Sequence, residues 1–171
     1  MNPQDGITIR NELAGDTEVI AVIVAAAFGS EAESRLVSLL RARGEATISL
    51  VAQHHGSIVG HVMASPIRID PTLAGSYLGV APLSVQPEYQ SQSIGSQLME
   101  AVIAAARTRS VDALFLLGNP SYYSRFGFTA SHLQNEYGAT DSFMHLELQP
   151  DSLCDANGTA RYVAAFSDAN T

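Results

Sequence analysis

An extended run that stops at Gln86-Pro87 and a helical run that opens at Ile94 leave only a short polar loop between them. This joint constrains the fold more than any other part of the chain. Proline removes a ladder donor and ends the strand. The helix beyond the loop begins with unpaired backbone N–H groups and the positive end of its dipole, a combination that favours phosphate. Ser91, Ser93 and Ser96 add three hydroxyls to the same loop.

The elements around the joint follow from periodicity. Ile7-Thr8-Ile9-Arg10 alternates as a first strand, and Asp16 is placed to cap a helix running to Phe28. A second helix covers Glu31 to Arg43 and stops at Gly44. Thr47 to Ala52 and Ile58 to Ala64 then read as a hairpin turned at His55-Gly56-Ser57. Tyr77 to Val85 is apolar on both faces and is therefore expected at the centre of the sheet. Ile94, Leu98, Ala101, Val102 and Ala105 form a helical stripe, and Val111 to Leu117 is the next buried strand, so this unit reads as a parallel crossover. Ser121 to Phe126 is a short helix or turn, and Phe143 to Leu148 a last strand. Beyond Cys154 only Arg161 to Phe166 suggests an edge strand. The expectation is one domain over residues 1–171, with 154–171 as a C-terminal extension.

Composition narrows the function. A net charge of −8 without a Lys/Arg cluster opposes nucleic-acid binding and would attract a cationic substrate such as an amine. No run of about 18 apolar residues suits a membrane span, and the N-terminus lacks a signal-peptide pattern, so a cytoplasmic location is expected. The lone Cys154 and five scattered histidines show no metal-ligand spacing, and no metal is expected.

Two motifs resemble the GCN5-related N-acetyltransferases, the GNAT family. That family's pyrophosphate loop, Gln/Arg-x-x-Gly-x-Gly/Ala, corresponds to Gln90-Ser91-Gln92-Ser93-Ile94-Gly95, with Ser93 in place of the central glycine. An ordinary helical φ at Ser93 would make that replacement inexpensive, whereas a positive φ would not. The second motif, Tyr122-Tyr123-Ser124-Arg125-Phe126-Gly127-Phe128, resembles the family's Phe-Tyr-x-x-x-Gly-Phe. From Leu117 to Phe128 the run also resembles the YhbS-like predicted acetyltransferases, with Asn119 where that subgroup has aspartate.

The resemblance implies an α/β (α+β) GNAT fold: a mixed, mostly antiparallel sheet of about six to seven strands, flanked by helices, with a splayed central strand pair. It implies acetyl-CoA as cosubstrate. Leu83, Ser84 and Val85 would pair with the pantetheine arm, and Gln90, Ser91, Gln92, Ser93, Ile94, Gly95 and Ser96 would hold the pyrophosphate, with Asn119 and Tyr122 beside the cofactor. A Val85 N–H would steady the thioester oxygen, and Tyr123 would protonate the departing thiolate, since a phenol with a pKa of about 10 stays protonated at neutral pH. Each position has a plainer reading: a core tyrosine, an ordinary strand end, an asparagine shaping the turn before Pro120. Glu88 is the carboxylate nearest the centre in sequence and equally a solvated turn residue. His61 is a second proton acceptor or a buried, hydrogen-bonded histidine.

The leading function is transfer of an acetyl group from acetyl-CoA to a primary amine of a small molecule or protein, by direct attack in a ternary complex. The protein is then a monomer or homodimer with no nucleic-acid or membrane partner. The alternative is a catalytically impaired acyl-CoA binding or sensing domain, favoured by Ser91, Ser93 and Asn119.

Overall fold

The computed structural model describes residues 5–171. Strand β1 (Ile7–Asn11) lies antiparallel to β2 (Ile48–His54), and β2 pairs with β3 (Ser57–Asp70) through a hairpin. His55 and Gly56 at its turn both have positive φ, 48° and 84°, the pattern of a two-residue turn that matches strand twist. Between β1 and β2 come α1 (Thr17–Phe28) and α2 (Ala32–Ala42). Gly29 ends α1 in the left-handed region. Gly44 ends α2, with its N–H on the Arg41 carbonyl and the Glu45 N–H on the Leu40 carbonyl, so two of the helix's last carbonyls are satisfied.

Asp16 departs from the expected cap. Its carboxylate accepts the Leu13 N–H at 2.7 Å and pairs with Arg10 at 2.7 Å, closing the turn before α1 instead of bonding into the helix.

Strand β4 (Tyr77–Val85) is joined through α3 (Ile94–Thr108) to the parallel strand β5 (Ala113–Leu117). A short helix α4 (Pro120–Tyr123), two-residue strands β6 (Thr129–Ala130) and β7 (Gln134–Asn135), then β8 (Phe143–Glu147), β9 (Thr159–Tyr162) and helix α5 (Ala165–Asp168) complete the chain. The main order is β1-β2-β3-β4-β5-β8-β6, mostly antiparallel, with β4 in the middle.

Among the described residues the sheet has nine strands. The additions to the expected set are β6 and β7. Strand β3 is longer than its apolar run suggested: its near half pairs with β2, and Ile67 to Asp70 pair with β9. The tail strand is therefore Thr159–Tyr162, covered on one edge by β3 and on the other by β7, and not an edge strand at Arg161 to Phe166. Residues 165–168 are helical instead.

Period-two alternation sorts the core. Leu50, Ala52, Val62 and Ala64 meet Leu98 and Val102 of α3 on one face, while Val51 and Met63 meet Ile20, Val24 and Leu40 of α1 and α2 on the other. Fully burying side chains such as Leu98 contributes roughly 1.5–3 kcal/mol each and fixes α3, and so its N-terminus, against the sheet.

Candidate active site

The site forms where β4 and β5 part. Their pairing runs only from Tyr77↔Ala113 to Gly79↔Phe115; beyond it β5 stays with β8 and β4 with β3. The β3–β4 register slips between Val62 and Ala64, so β4 takes an extra residue near Ala81-Pro82, a bulge that re-aims the end of the strand. The Gln86 N–H donates to the Val59 carbonyl at 2.8 Å. Main-chain groups in an antiparallel ladder alternate sides, so Gln86 and Ser84 face β3 whereas Leu83 and Val85 turn their N–H and C=O groups toward the opening. The Val85 carbonyl accepts the Gln90 side-chain amide at 3.0 Å, which leaves its N–H directed into the gap.

Past the turn Pro87–Tyr89, Ser91 and Ser93 adopt left-handed φ of 61° and 66°. From Ser91 to Ser96 no backbone N–H has an acceptor among the described residues; the first N–H paired by α3 is that of Gln97, on the Ser93 carbonyl at 3.1 Å. Left-handed residues curl successive N–H groups toward one centre, which makes an anion-binding concavity. The φ at Ser93 costs about 1 kcal/mol that glycine would not incur. Ser93→Gly is accordingly expected to raise Tm by about 2–4 °C in thermal unfolding. An unchanged or lower Tm would show that the hydroxyl offsets the strain.

The loop opens onto a cleft of about 420 Å³, lined by Leu83, Val85, Tyr89, most of the loop, Tyr122 and Arg125. The Tyr122 hydroxyl lies 3.5 Å from Ser96 Oγ, and a Cβ on Gly95 would come within 3.0 Å of it, so glycine lets α3 start against this ring. The Arg125 guanidinium sits 4.5 Å over the Tyr122 ring while its Nε–H donates to the Tyr122 carbonyl at 2.9 Å. Arg125 is the cation among the lining residues, where the loop itself has none.

Tyr123, the next residue, meets the Tyr122 ring edge-to-face, with centroids 4.9 Å apart. Its ring covers Gly118 and meets Phe128 edge-on at 6.2 Å. Burial first, and Tyr122 second, push its phenol above 10, so it stays protonated through the neutral range. Of the two tyrosines, Tyr122 lines the cleft and Tyr123 stands behind it.

The remaining expected positions divide between the loop and its surroundings. Gln92 turns from the cleft, its amide donating to the Glu88 carbonyl at 3.1 Å. Glu88 is exposed on its turn, outside the cleft lining. Asn119 caps α4: its Oδ1 accepts the Ser121 N–H at 2.9 Å, which is the turn-shaping role. The Ser84 side chain is buried, and its Oγ has no hydrogen-bond partner among the described residues.

His61 heads a cluster that the sequence did not reveal. It is fully buried, with Nε2 2.9 Å from Ser49 Oγ and 3.7 Å from Glu12 Oε2. Ser49 also bonds Glu12, and the Arg41 Nε–H donates to Glu12 Oε1 at 2.6 Å. Glu12 lies in the connection after β1, Arg41 on α2 and Ser49 on β2, and no local motif links them. Burial alone would raise the Glu12 carboxyl. The adjacent His61 ring, hydrogen bonds from Arg41 and Ser49, and the charge of Arg41 instead bring it from 4.5 to about 2. Burial lowers His61 from 6.5, opposed by Glu12.

In both groups the unfolded chain binds its proton first as pH falls. Each therefore stabilises the fold at neutral pH, and that stability is lost in acid: from 6.5 downward through His61, and from 4.5 toward about 2 through Glu12. Tm measured by circular dichroism down to about pH 3 is expected to drop across this range. Glu12→Gln lowers Tm throughout, because Arg41 loses its partner, and flattens the acid end. A parent Tm level through the window would contradict the assignment.

An open sheet parted at its centre, with an anion loop at the mouth of the gap, is the architecture of a class of acyltransferases. Residues 16–128 match the family model "Acetyltransferase (GNAT) family", and the chain belongs to that family, among the transferases. It is 33% identical over 164 residues to the uncharacterized N-acetyltransferase YhbS of Escherichia coli K12, spanning 93% of this chain and 98% of that protein. The crystal structure of YhbS from Escherichia coli in complex with CoA superposes with a TM-score of 0.89 at 31% identity, covering 94% of this chain and 92% of that one. A GNAT family acetyltransferase from Brucella melitensis, solved with acetyl-CoA, gives 0.81 at 34% identity, covering 94% and 97%.

Proposed function

We infer that this protein transfers an acetyl group from acetyl-CoA to a primary amine of a small molecule or a protein, by direct attack within a ternary complex in the cytoplasm. The observation that carries this reading is the row of unpaired N–H groups from Ser91 to Ser96, set with Arg125 at the mouth of the parted strands. Such donors bind a pyrophosphate without a lysine in the loop, and Arg125 supplies the positive charge the loop lacks. The relatives solved with CoA and acetyl-CoA agree with that assignment.

The main-chain groups that Leu83 turns to the gap pair with the amides of the pantetheine arm, as a strand would, while the Val85 carbonyl stays with Gln90. The Val85 N–H then donates to the thioester oxygen and stabilises the charge that grows there during attack. Tyr123 gives its proton to the departing thiolate. The net negative charge of the chain favours approach of a cationic amine.

Calorimetric titration with acetyl-CoA, followed by a thiol-release assay against polyamines and peptides with free α-amines, tests the reading. Micromolar binding with release of CoA and an acetylated amine supports it. Binding without turnover of any amine favours the sensing domain, for which the strained Ser91 and Ser93 are the supporting observation. Absence of binding removes both.

A further inference from the structure

The His61 cluster lies on the α1–α2 face of the sheet, directly across the β3–β4 ladder from Ser84, and Ser84 sits between the two residues whose main chain faces the parted strands. His61 Nδ1 and Ser84 Oγ have no hydrogen-bond partner among the described residues, as is true also of Arg41 Nη2 in the same cluster, and His61 and Ser84 are at least nine-tenths buried. Directly opposed residues hold their Cβ atoms about 5 Å apart; His61 Nδ1 and Ser84 Oγ do not bond each other directly, and the separation suits one bridging water.

The proton positions on the other side of the ring follow from the donors available. Ionised Glu12 only accepts, so the single Ser49 proton goes to Glu12. Ser49 Oγ must then accept from His61, which puts hydrogen on Nε2 and leaves the lone pair on Nδ1. The lone pair is therefore on the ring nitrogen that has no partner among the described residues. When Nδ1 gains a proton, the imidazolium forms beside the Glu12 carboxylate, which Arg41 holds in place.

We propose that His61, acting through the Ser84 hydroxyl, accepts the proton released when the amine attacks the acetyl group, with Glu12, Arg41 and Ser49 positioning its imidazole. This rests on the acetyltransferase reading above. As the amine nitrogen bonds the acetyl carbon, its N–H proton passes to the Ser84 oxygen, the Ser84 proton passes to a bridging water, and that water gives a proton to Nδ1. The carbon–sulfur bond breaks, and the Tyr123 proton goes to sulfur. The products are the amide and the free thiol, and imidazolium and phenolate return to neutrality by exchange with water.

The charged groups facing His61 are Glu12, from the connection after β1, and Arg41, from α2. The α1 face presents Ile20 and Val24, β2 presents Ser49 and β4 presents Ser84, all uncharged. Activity is therefore expected to fall on the acid side as His61 takes up a proton.

The test compares the parent with His61→Gln, which keeps a donor toward Ser49 but does not titrate, and with Ser84→Ala, a small change that preserves packing. Acetyl-CoA affinity is measured by calorimetry, and kcat and kcat/KM against pH by thiol release, with spermidine and a peptide bearing a free α-amine as probes. Both variants are expected to lose roughly 100-fold in kcat with unchanged acetyl-CoA affinity, and His61→Gln to lose the acid limb of the kcat/KM profile. Parent-like kcat and pH dependence in both variants overturns the assignment alone. So does a loss confined to His61→Gln, which would make the histidine purely structural. A parent that neither binds acetyl-CoA nor acetylates a probe overturns the functional reading, and this inference falls with it.

Discussion

Tyr123→Phe is expected to lower kcat for acetyl transfer by roughly 100-fold while leaving acetyl-CoA affinity near that of the parent. The substitution removes one hydroxyl and keeps the ring that packs on Gly118, Phe126 and Phe128, so the cleft and loop stay formed. The phenol is held above 10 by burial and therefore carries its proton wherever the enzyme works, ready for a thiolate that must not leave as a bare anion. The same burial moves the basic limb that Tyr123 ionisation would give the rate profile upward. Stopped-flow thiol release separates the chemical step from product release. If kcat is unchanged, the proton comes from another donor, and Tyr122, whose hydroxyl faces the cleft, is then the residue to replace.

Gly118→Ala is expected to be the most damaging single methyl in the site. The added carbon would lie 2.2 Å from Cε2 and 2.7 Å from Cδ2 of Tyr123, distances that force the ring to move. Overpacking of this kind costs about 1–3 kcal/mol, which thermal unfolding would register as a lower Tm. Because the displaced ring carries the proposed acid, kcat falls as well. The double variant Gly118→Ala, Tyr123→Phe then loses little further kcat beyond Tyr123→Phe, since both changes act on one group. Additive losses in kcat would mean that Gly118 matters for something other than Tyr123.

Much of the fold was legible because its signals are local. A proline, a glycine after the last helical turn, a two-residue turn with positive φ and an apolar stripe on α3 each act within a few residues of themselves. The anion loop belongs to the same group, since its donors are the first N–H groups of a helix whose start could be read from Ile94. Strand β9 and the far half of β3 were less legible. Neither is apolar along its length, and each is a strand because the other supplies its ladder bonds from about ninety residues away. Asp16 looked like a helix cap by residue type, yet Arg10 on a neighbouring strand bound its carboxylate.

The order of residues alone was enough for the family, the parallel crossover around the loop at Ser91 to Ser96 and the tyrosine pair that follows β5, because each is a short contiguous pattern with a local physical cause. Three other matters depended on tertiary packing. Ser93 was found in the left-handed region, because the direction of β4 and the packing of Ile94 and Leu98 set the path of the loop regardless of the residue occupying it. Leu83 and Val85, and not Ser84, turn their main chain to the gap, because the register with β3 assigns sides by alternation. The Glu12–Arg41–Ser49–His61 cluster exists because a connection, a helix and two strands bury polar groups at one point. A buried charge requires partners, and those partners come from wherever the fold brings them.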